Sequence, residues 1–501
     1  MEERQPRSAP DALRYEPGVF VQQTGHGQGS AYLRGRTGQQ TVLMFDGVRL
    51  NTSTFRQGPN QYFFTIDSRT VQSIEVLRGG ASTLYGTDAI GGVLDARPIE
   101  PPPDPGDGRL HLHPGFSFRG ATADGEAGGR VQAGVRFRAL GALAGFGARR
   151  AGTLEGGGAV RNPEGGGVPQ VPRLADDGRH QLGTGFTEVA SDGRVAWDLG
   201  GGRRVLAAVY DYRQFDAPRT DQCPPAYADR DECLRYAEQF RTLAYAAFEG
   251  DLGRAARESR FAFSWQRQHE RRERDRPSSS IVNGGRDDVD TLGLSARLAT
   301  ADFRLAPWLS GRVRYGGDVW HDRVASAAWL EFTDVGAVIH ASRGGYLDGS
   351  HHTTGGAYAM LEGTFLRRLT LRAGARAGGA GARAPADPES GTAAVDRSWP
   401  VWSAHGGVQW DAVPWLSLLF NVDRSFRTPN LDDMTSRQQA GPGFQFENPS
   451  LDPESVLTLE AGVQVHLDWL EADLWAYRAS LHGAIERAPR DAADCPPGTP
   501  P

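Results

Sequence analysis

The sequence contains no long apolar run. Nothing in its 501 residues approaches the roughly 18 consecutive apolar side chains that a membrane-crossing helix needs, so helical spans are excluded. A barrel is not excluded, because strands that alternate apolar-out with polar-in hide their apolar content from any averaging window. The net charge of −6 is small for this length, and basic residues are scattered rather than gathered into a stripe, so nucleic-acid binding has no support. The N-terminus, MEERQPRSAPDALRYEPGVF, has no apolar h-region and no cleavage site and does not read as a signal peptide.

Cysteine is scarce, with three residues. Cys223 and Cys233 stand in DQCPPAYADRDEC, where they either close a small surface loop by a disulfide, as an oxidising compartment allows, or remain two free thiols. A zinc site would need two further ligands, and no local set supplies them. Cys495 is left over. No hydrolytic triad or carboxylate couple stands out, and the pairs His111/His113 and His351/His352 lack a third ligand. We therefore expect no enzymatic reaction, no resident metal and no cofactor.

What is present begins with residues 28–96. The apolar runs Thr41–Phe45 and Val71–Leu77 are closed by Asp46–Gly47 and Gly79–Gly80, which predicts a compact domain of short strands and glycine-supplied turns. Its glycine clusters fit neither GxxxxGK[ST] nor GxGxxG and no βαβ pattern follows, so they are turns rather than a phosphate cradle. Residues 1–10 are polar and expected to be disordered; 11–97 form the small domain; 98–108, PIEPPPDPGDG, read as a stiff linker. From 109 to 501 a period of two takes over. In Leu457–Leu467, Leu457, Leu459, Ala461, Val463 and Val465 face one way while Thr458, Glu460, Gln464 and His466 face the other.

Segments of this kind recur near 109–119, 130–138, 143–150, 181–189, 192–199, 203–213, 241–249, 260–268, 291–300, 308–320, 352–365, 368–376, 401–412, 414–423, 457–467 and 469–480, about sixteen strands. A soluble sandwich or propeller also alternates. Strand length and the contrast between short turns (367–368, 412–414) and long polar loops (151–180, 214–239, 269–289, 323–349, 377–400) favour a membrane barrel with one plain rim and one elaborate rim. Trp308, Trp320, Tyr358, Trp399, Trp402, Trp410, Trp415, Trp469 and Trp475 are candidates for its aromatic girdles.

Several motifs carry a family resemblance: Tyr32–Arg36, Val42–Asn51, Ile74–Gly79 with Ala81–Gly86, and Ala89–Val93. These resemble the plug domain of TonB-dependent outer-membrane receptors, with the later motifs most similar to those of vitamin B12 and small-siderophore receptors. Asn421–Leu431, Glu447–Ser455 and Glu460–Gly462 resemble the mid-barrel signature of the same family. The resemblance implies an all-β transmembrane barrel of about 22 strands with an N-terminal α/β plug in its lumen. About sixteen of those strands would lie in this chain, leaving roughly six beyond it, and an unclosed wall would leave two unpaired edges. An export signal, a TonB-contacting box and the first plug strands would precede Asp11–Leu13.

The resemblance further implies a Gram-negative outer-membrane location and import of a metal chelate, a ferric siderophore or a cobalamin. The energy would come from a TonB–ExbB–ExbD complex acting on the absent box. Residues 430–448 hold no histidine, which argues against haem. Plug arginines that pair with wall glutamates map onto Arg34, Arg78 and Glu460. The ligand loop maps onto 52–65, with Arg56, Asn60, Tyr62 and Phe63 expected to be exposed. A non-transporting adhesion barrel and a soluble β-rich binding protein are the alternatives.

Overall fold

The computed structural model describes residues 5–60, 62–162, 165, 167–169, 173–218, 223–224, 232–440, 443–489 and 491. Its N-terminal unit holds an antiparallel hairpin, Val19–Gly25 with Gln28–Leu33, and a four-stranded sheet. The sheet order is Val48–Arg49, Thr41–Phe45, Gly92–Pro98, Val71–Arg78. Thr41–Phe45 runs parallel to Gly92–Pro98 and is buried throughout, which accounts for its uninterrupted apolar run. The Asp46–Gly47 turn has φ of 50° and 74°, the pair of left-handed residues that a tight hairpin needs. At Gly92 (φ 142°) a Cβ would lie 2.1 Å from the Leu77 carbonyl oxygen, so only glycine allows the sheet to close there. One short helix, Ser82–Tyr85, completes the α/β unit.

An extended segment after Pro98 leads to Leu110, where the wall begins. Among the described residues the wall has fifteen strands of 12 to 24 residues, from Leu110–Ala121 to Leu470–His482, and no helix is long and apolar enough to cross a membrane. Their order closes into a barrel around the first unit, so the two edges expected to stand open are neighbours instead. Antiparallel registers join each consecutive pair of these strands. The seam where Leu470–His482 meets Leu110–Ala121 has no residue-by-residue register among the described residues, and these two strands are the most exposed of the wall. Alternation follows the sequence phase: Leu457, Leu459 and Val463 are exposed outward, whereas Thr458 and Glu460 are buried inward.

Four further expectations need correction. Residues 186–189 and the segment 192–199 belong to one strand, Phe186–Gly200, because Asp192 points inward to Arg130 (3.0 Å to Nη2) instead of making a turn, while His180–Gln181 pairs separately with Leu154–Glu155. Strands run well into the segments read as loops. Glu258–Asp275 and Leu309–Phe332 continue beyond the apolar band, where charged cross-strand pairs such as Arg272 with Asp287 replace the alternation that marks a strand in sequence. Residues 5–10 are ordered where described. Ser8, Ala9 and Pro10 are buried, and the Arg7 carbonyl accepts from Arg149 at 2.6 Å. Finally, Trp320, Tyr358 and Trp399 are 8, 9 and 6% exposed and face inward or under loops, so they are not girdle residues, whereas Trp308, Trp402, Trp410, Trp415 and Trp469 are exposed.

Cys223 and Cys233 form a disulfide, and Cys495 lies outside the described residues. His111 pairs with Asp107, while His352 is buried 3.2 Å from the Pro429 carbonyl; no metal cluster is present among the described residues.

Candidate functional site

The unit inside the barrel meets the wall through an apolar cluster, Phe45 and Phe63 with Leu206, Tyr210 and Leu243, and through a set of polar contacts around it. The Asp46–Gly47 turn projects Asp46 outward, where Oδ2 accepts from Arg194 at 2.9 Å and the Tyr245 hydroxyl at 2.7 Å, with Arg260 at 3.3 Å. Arg69 is held by Asp67 (2.8 Å) and reaches Glu188 on the wall at 3.3 Å. The Ser53 amide donates to Asp322. Such contacts exchange for water at little net cost, unlike a fused apolar core.

Arg34 meets Glu460, and its guanidinium lies 4.6 Å over the Tyr477 ring. Arg78 does not join them: its Nη1 donates to the Pro17 carbonyl within the inner unit at 2.7 Å. The reason is space. Glu460 sits over Gly79, where a Cβ would lie 2.7 Å from Oε1 and 2.8 Å from Arg34 Nη1, so the carboxylate is already occupied.

Toward the elaborate rim, the 52–65 segment is not the exposed loop expected. Arg56 is clamped by Glu270 (2.8 and 3.2 Å) and the Tyr236 hydroxyl (3.2 Å). Tyr62 stacks on Phe55 at 4.3 Å; Tyr62 and Phe63 are each 2% exposed and Asn60 7%. The tall strands Cys233–Glu249 and Glu258–Asp275 rise past this segment and cover it.

A second cover comes from the wall loop after Arg427. Asn430 and Asp433 form a reciprocal cap on the helix Leu431–Thr435, and Asn430 Nδ2 also donates to the Phe55 carbonyl at 2.9 Å. The Asp432 amide donates to the Ser53 carbonyl at 3.1 Å, and the Tyr346 hydroxyl donates to Asp432 at 3.2 Å. Burial, then the neighbouring Asp433, pushes the Asp432 carboxyl up to about 7. Arg427 links Gln39 (2.9 Å), Asp433 (2.7 Å) and Glu454 (2.7 Å).

Sequence reading gave no contact role to Asp46, Arg194, Glu270, Asp322, Arg427 or Asp432. A signal existed for the strand residues among them: each carries charge at a position in phase with the inward-facing polar set, as Glu270 is with Gln266 and Gln268.

A β-wall whose lumen is filled by a separate N-terminal unit held through ion pairs defines a plugged barrel. A family model for the TonB-dependent receptor plug domain matches residues 1–93, and one for the TonB-dependent receptor-like β-barrel matches residues 169–500. The chain belongs to the TonB-dependent receptor family. Vitamin B12 transporters BtuB from Photobacterium profundum and Vibrio vulnificus are 39% identical over 92 residues and 38% over 94. Each match takes in 18% of this chain and only 15% of the relative.

Solved structures share the fold. The Serratia marcescens hemophore receptor HasR, solved with its hemophore HasA and heme, matches with a TM-score of 0.74 at 16% identity over 96% of this chain and 71% of that one. Copper transporter OprC gives 0.73 at 17% over 95% and 70%, and ferric citrate transporter FecA gives 0.67 at 13% over 96% and 68%.

Proposed function

We propose that this chain supplies the plug and the wall described above to an outer-membrane importer that binds a metal chelate, a ferric siderophore or a cobalamin, from outside a Gram-negative cell. A TonB–ExbB–ExbD complex would drive import. The observation that carries the reading is the polar attachment of the plug: the contacts of Arg34 with Glu460, Asp46 with Arg194, Ser53 with Asp322 and Arg56 with Glu270 can be exchanged for water and remade. Arg34 and Glu460 act as a reversible clasp. Arg56, with Tyr62 behind it, becomes available to ligand once the Leu431–Thr435 cover lifts. The BtuB matches favour the cobalamin branch, and each takes in 18% of this chain.

The test is uptake by cells carrying the gene, offered radiolabelled cyanocobalamin and ferric siderophores in turn. Accumulation of one of them that stops when the proton-motive force is collapsed supports import. Surface binding without accumulation would instead support the non-transporting barrel.

A further inference from the structure

The outward face of strand Leu309–Phe332 changes character over a short span. Gly317 and Val319 stand there first, and the next two outward positions toward the elaborate rim are His321 and Arg323. The pairing registers carry the small residues across neighbouring strands. Ala296, Gly317, Ala357 and Ala377 lie opposite one another on four strands in turn; in the adjoining outward row Val319 lies opposite Gly355, and Gly355 opposite Gly379. Side chains this small leave a trough between taller neighbours. Where Ala296 and Gly317 lie, it is a groove of about 570 Å³, with Ala246 also along it and Phe263, Leu294 and Val319 beside it. Those last three are exposed, so the groove is on the outside of the wall and not in the lumen.

Beyond the groove, toward the elaborate rim, the outward arginines on this side of the wall are matched with acids. Arg213 pairs with Asp211, Arg235 with Glu273, Arg271 with Glu238 and Glu273, Arg286 with Asp288, and Arg267 with Asp290 at 2.6 and 2.9 Å. Arg323 is the exception on these strands among the described residues. Asp290 stands opposite it, but that carboxylate is already taken by Arg267 and by the Trp265 indole at 3.1 Å. Arg323 is exposed and lies opposite His351, whose ring stacks on His321 with centroids 5.5 Å apart. His321 meets Thr353 Oγ1 through Nδ1 at 2.8 Å, which leaves its Nε2 over. A guanidinium fork without a carboxylate, flanked by imidazoles, is suited to phosphate.

We propose that this face holds one phosphate-bearing lipid of the outer leaflet, its phosphate on Arg323, His321 and His351 and an acyl chain in the groove along Gly317 and Ala296. The two halves of the site choose this occupant together. A free phosphate leaves the groove unused, and a lipid without net negative charge leaves Arg323 unmatched; an anionic lipid satisfies both, with head and chain aligned along one strand face. The leaflet follows from the location proposed above. The site lies away from the lumen and does not depend on what, if anything, the barrel imports.

The test uses the full chain, delipidated in dodecyl maltoside and equilibrated with lipid A or with phosphatidylcholine, and counts retained lipid by native mass spectrometry. We expect one lipid A held per chain in preference to phosphatidylcholine, and no displacement by excess inorganic phosphate. Arg323→Gln should weaken retention about fivefold. Ala246→Trp, which fills the groove from an exposed position, should weaken it by a similar factor without touching the charges. Each variant is first checked for its heat-modifiable band. The two competitions on the parent chain need no substitution and so survive a variant that fails to fold. Equal retention of the two lipids overturns the phosphate contact. Displacement by inorganic phosphate, or retention unchanged in Ala246→Trp, overturns the lipid as occupant, and retention unchanged in Arg323→Gln overturns the placement of its headgroup.

Discussion

Arginine supplies every cationic side chain apart from histidine, since the 55 basic residues include no lysine. A planar fork holds a carboxylate with two parallel bonds and retains its charge when half-buried, which suits ion pairs in a narrow lumen. Replacing Glu460 with alanine leaves Arg34 facing Tyr477 without its counter-charge. Plug release should become easier by about 1–3 kcal/mol, read as a lower urea midpoint for protease protection of residues 19–98, and Arg34→Ala should match it. Arg78→Ala should leave that midpoint unchanged, because its bond goes to the Pro17 carbonyl.

Asp432 brings a pH dependence. Its folded value of about 7 lies above the ordinary 3.8, so the docked loop holds a proton that the undocked loop has released. Docking is strongest below about pH 4, weakens as pH rises toward 7, and levels off above that. Protease cleavage within 428–453 should accelerate across that window, and Asp432→Asn should flatten the profile. A cleavage rate that is already pH-independent in the parent would rule this out.

Two elements cover the 52–65 segment. The helix Leu431–Thr435 is tied to the plug through its own cap, since Asn430 serves both Asp433 and the Phe55 carbonyl. Asn430→Ala should cost about 1 kcal/mol of loop docking and expose Arg56, detected as faster hydrogen exchange at residues 53–57. The tall strands Cys233–Glu249 and Glu258–Asp275 are the other element, and they explain why the 52–65 segment was legible as polar but not as buried. Arg56 and Asn60 read as loop residues because what covers them, Glu270 and the loop bearing Asn430, is far away in sequence. Only the fold brings a residue 214 positions distant against Arg56. The Asp46–Gly47 turn shows the opposite case, where two residues suffice because left-handed φ values are a local property.

At the scale of the whole molecule, the outward apolar surface and the inward polar lumen are two faces of the same strands. Phe263→Arg, on an outward position that is 52% exposed, should destabilise the refolded barrel in lipid vesicles by about 2–4 kcal/mol, seen as loss of the heat-modifiable band. Gln268→Arg, inward on the same strand, sets a second guanidinium against the buried Arg241 that Gln268 now accepts from at 3.1 Å, and should be no milder.

Period-two alternation, the turn pairs and the family motifs determined the plug, the wall and nearly every strand from sequence alone, because side-chain direction in a strand is set by local backbone geometry. Tertiary structure decided which charges meet and which loop is covered. Arg34 took Glu460 and Arg78 did not; Tyr62 and Phe63 turned inward. These outcomes depend on the register and height of strands far apart in the chain, quantities that no local pattern encodes.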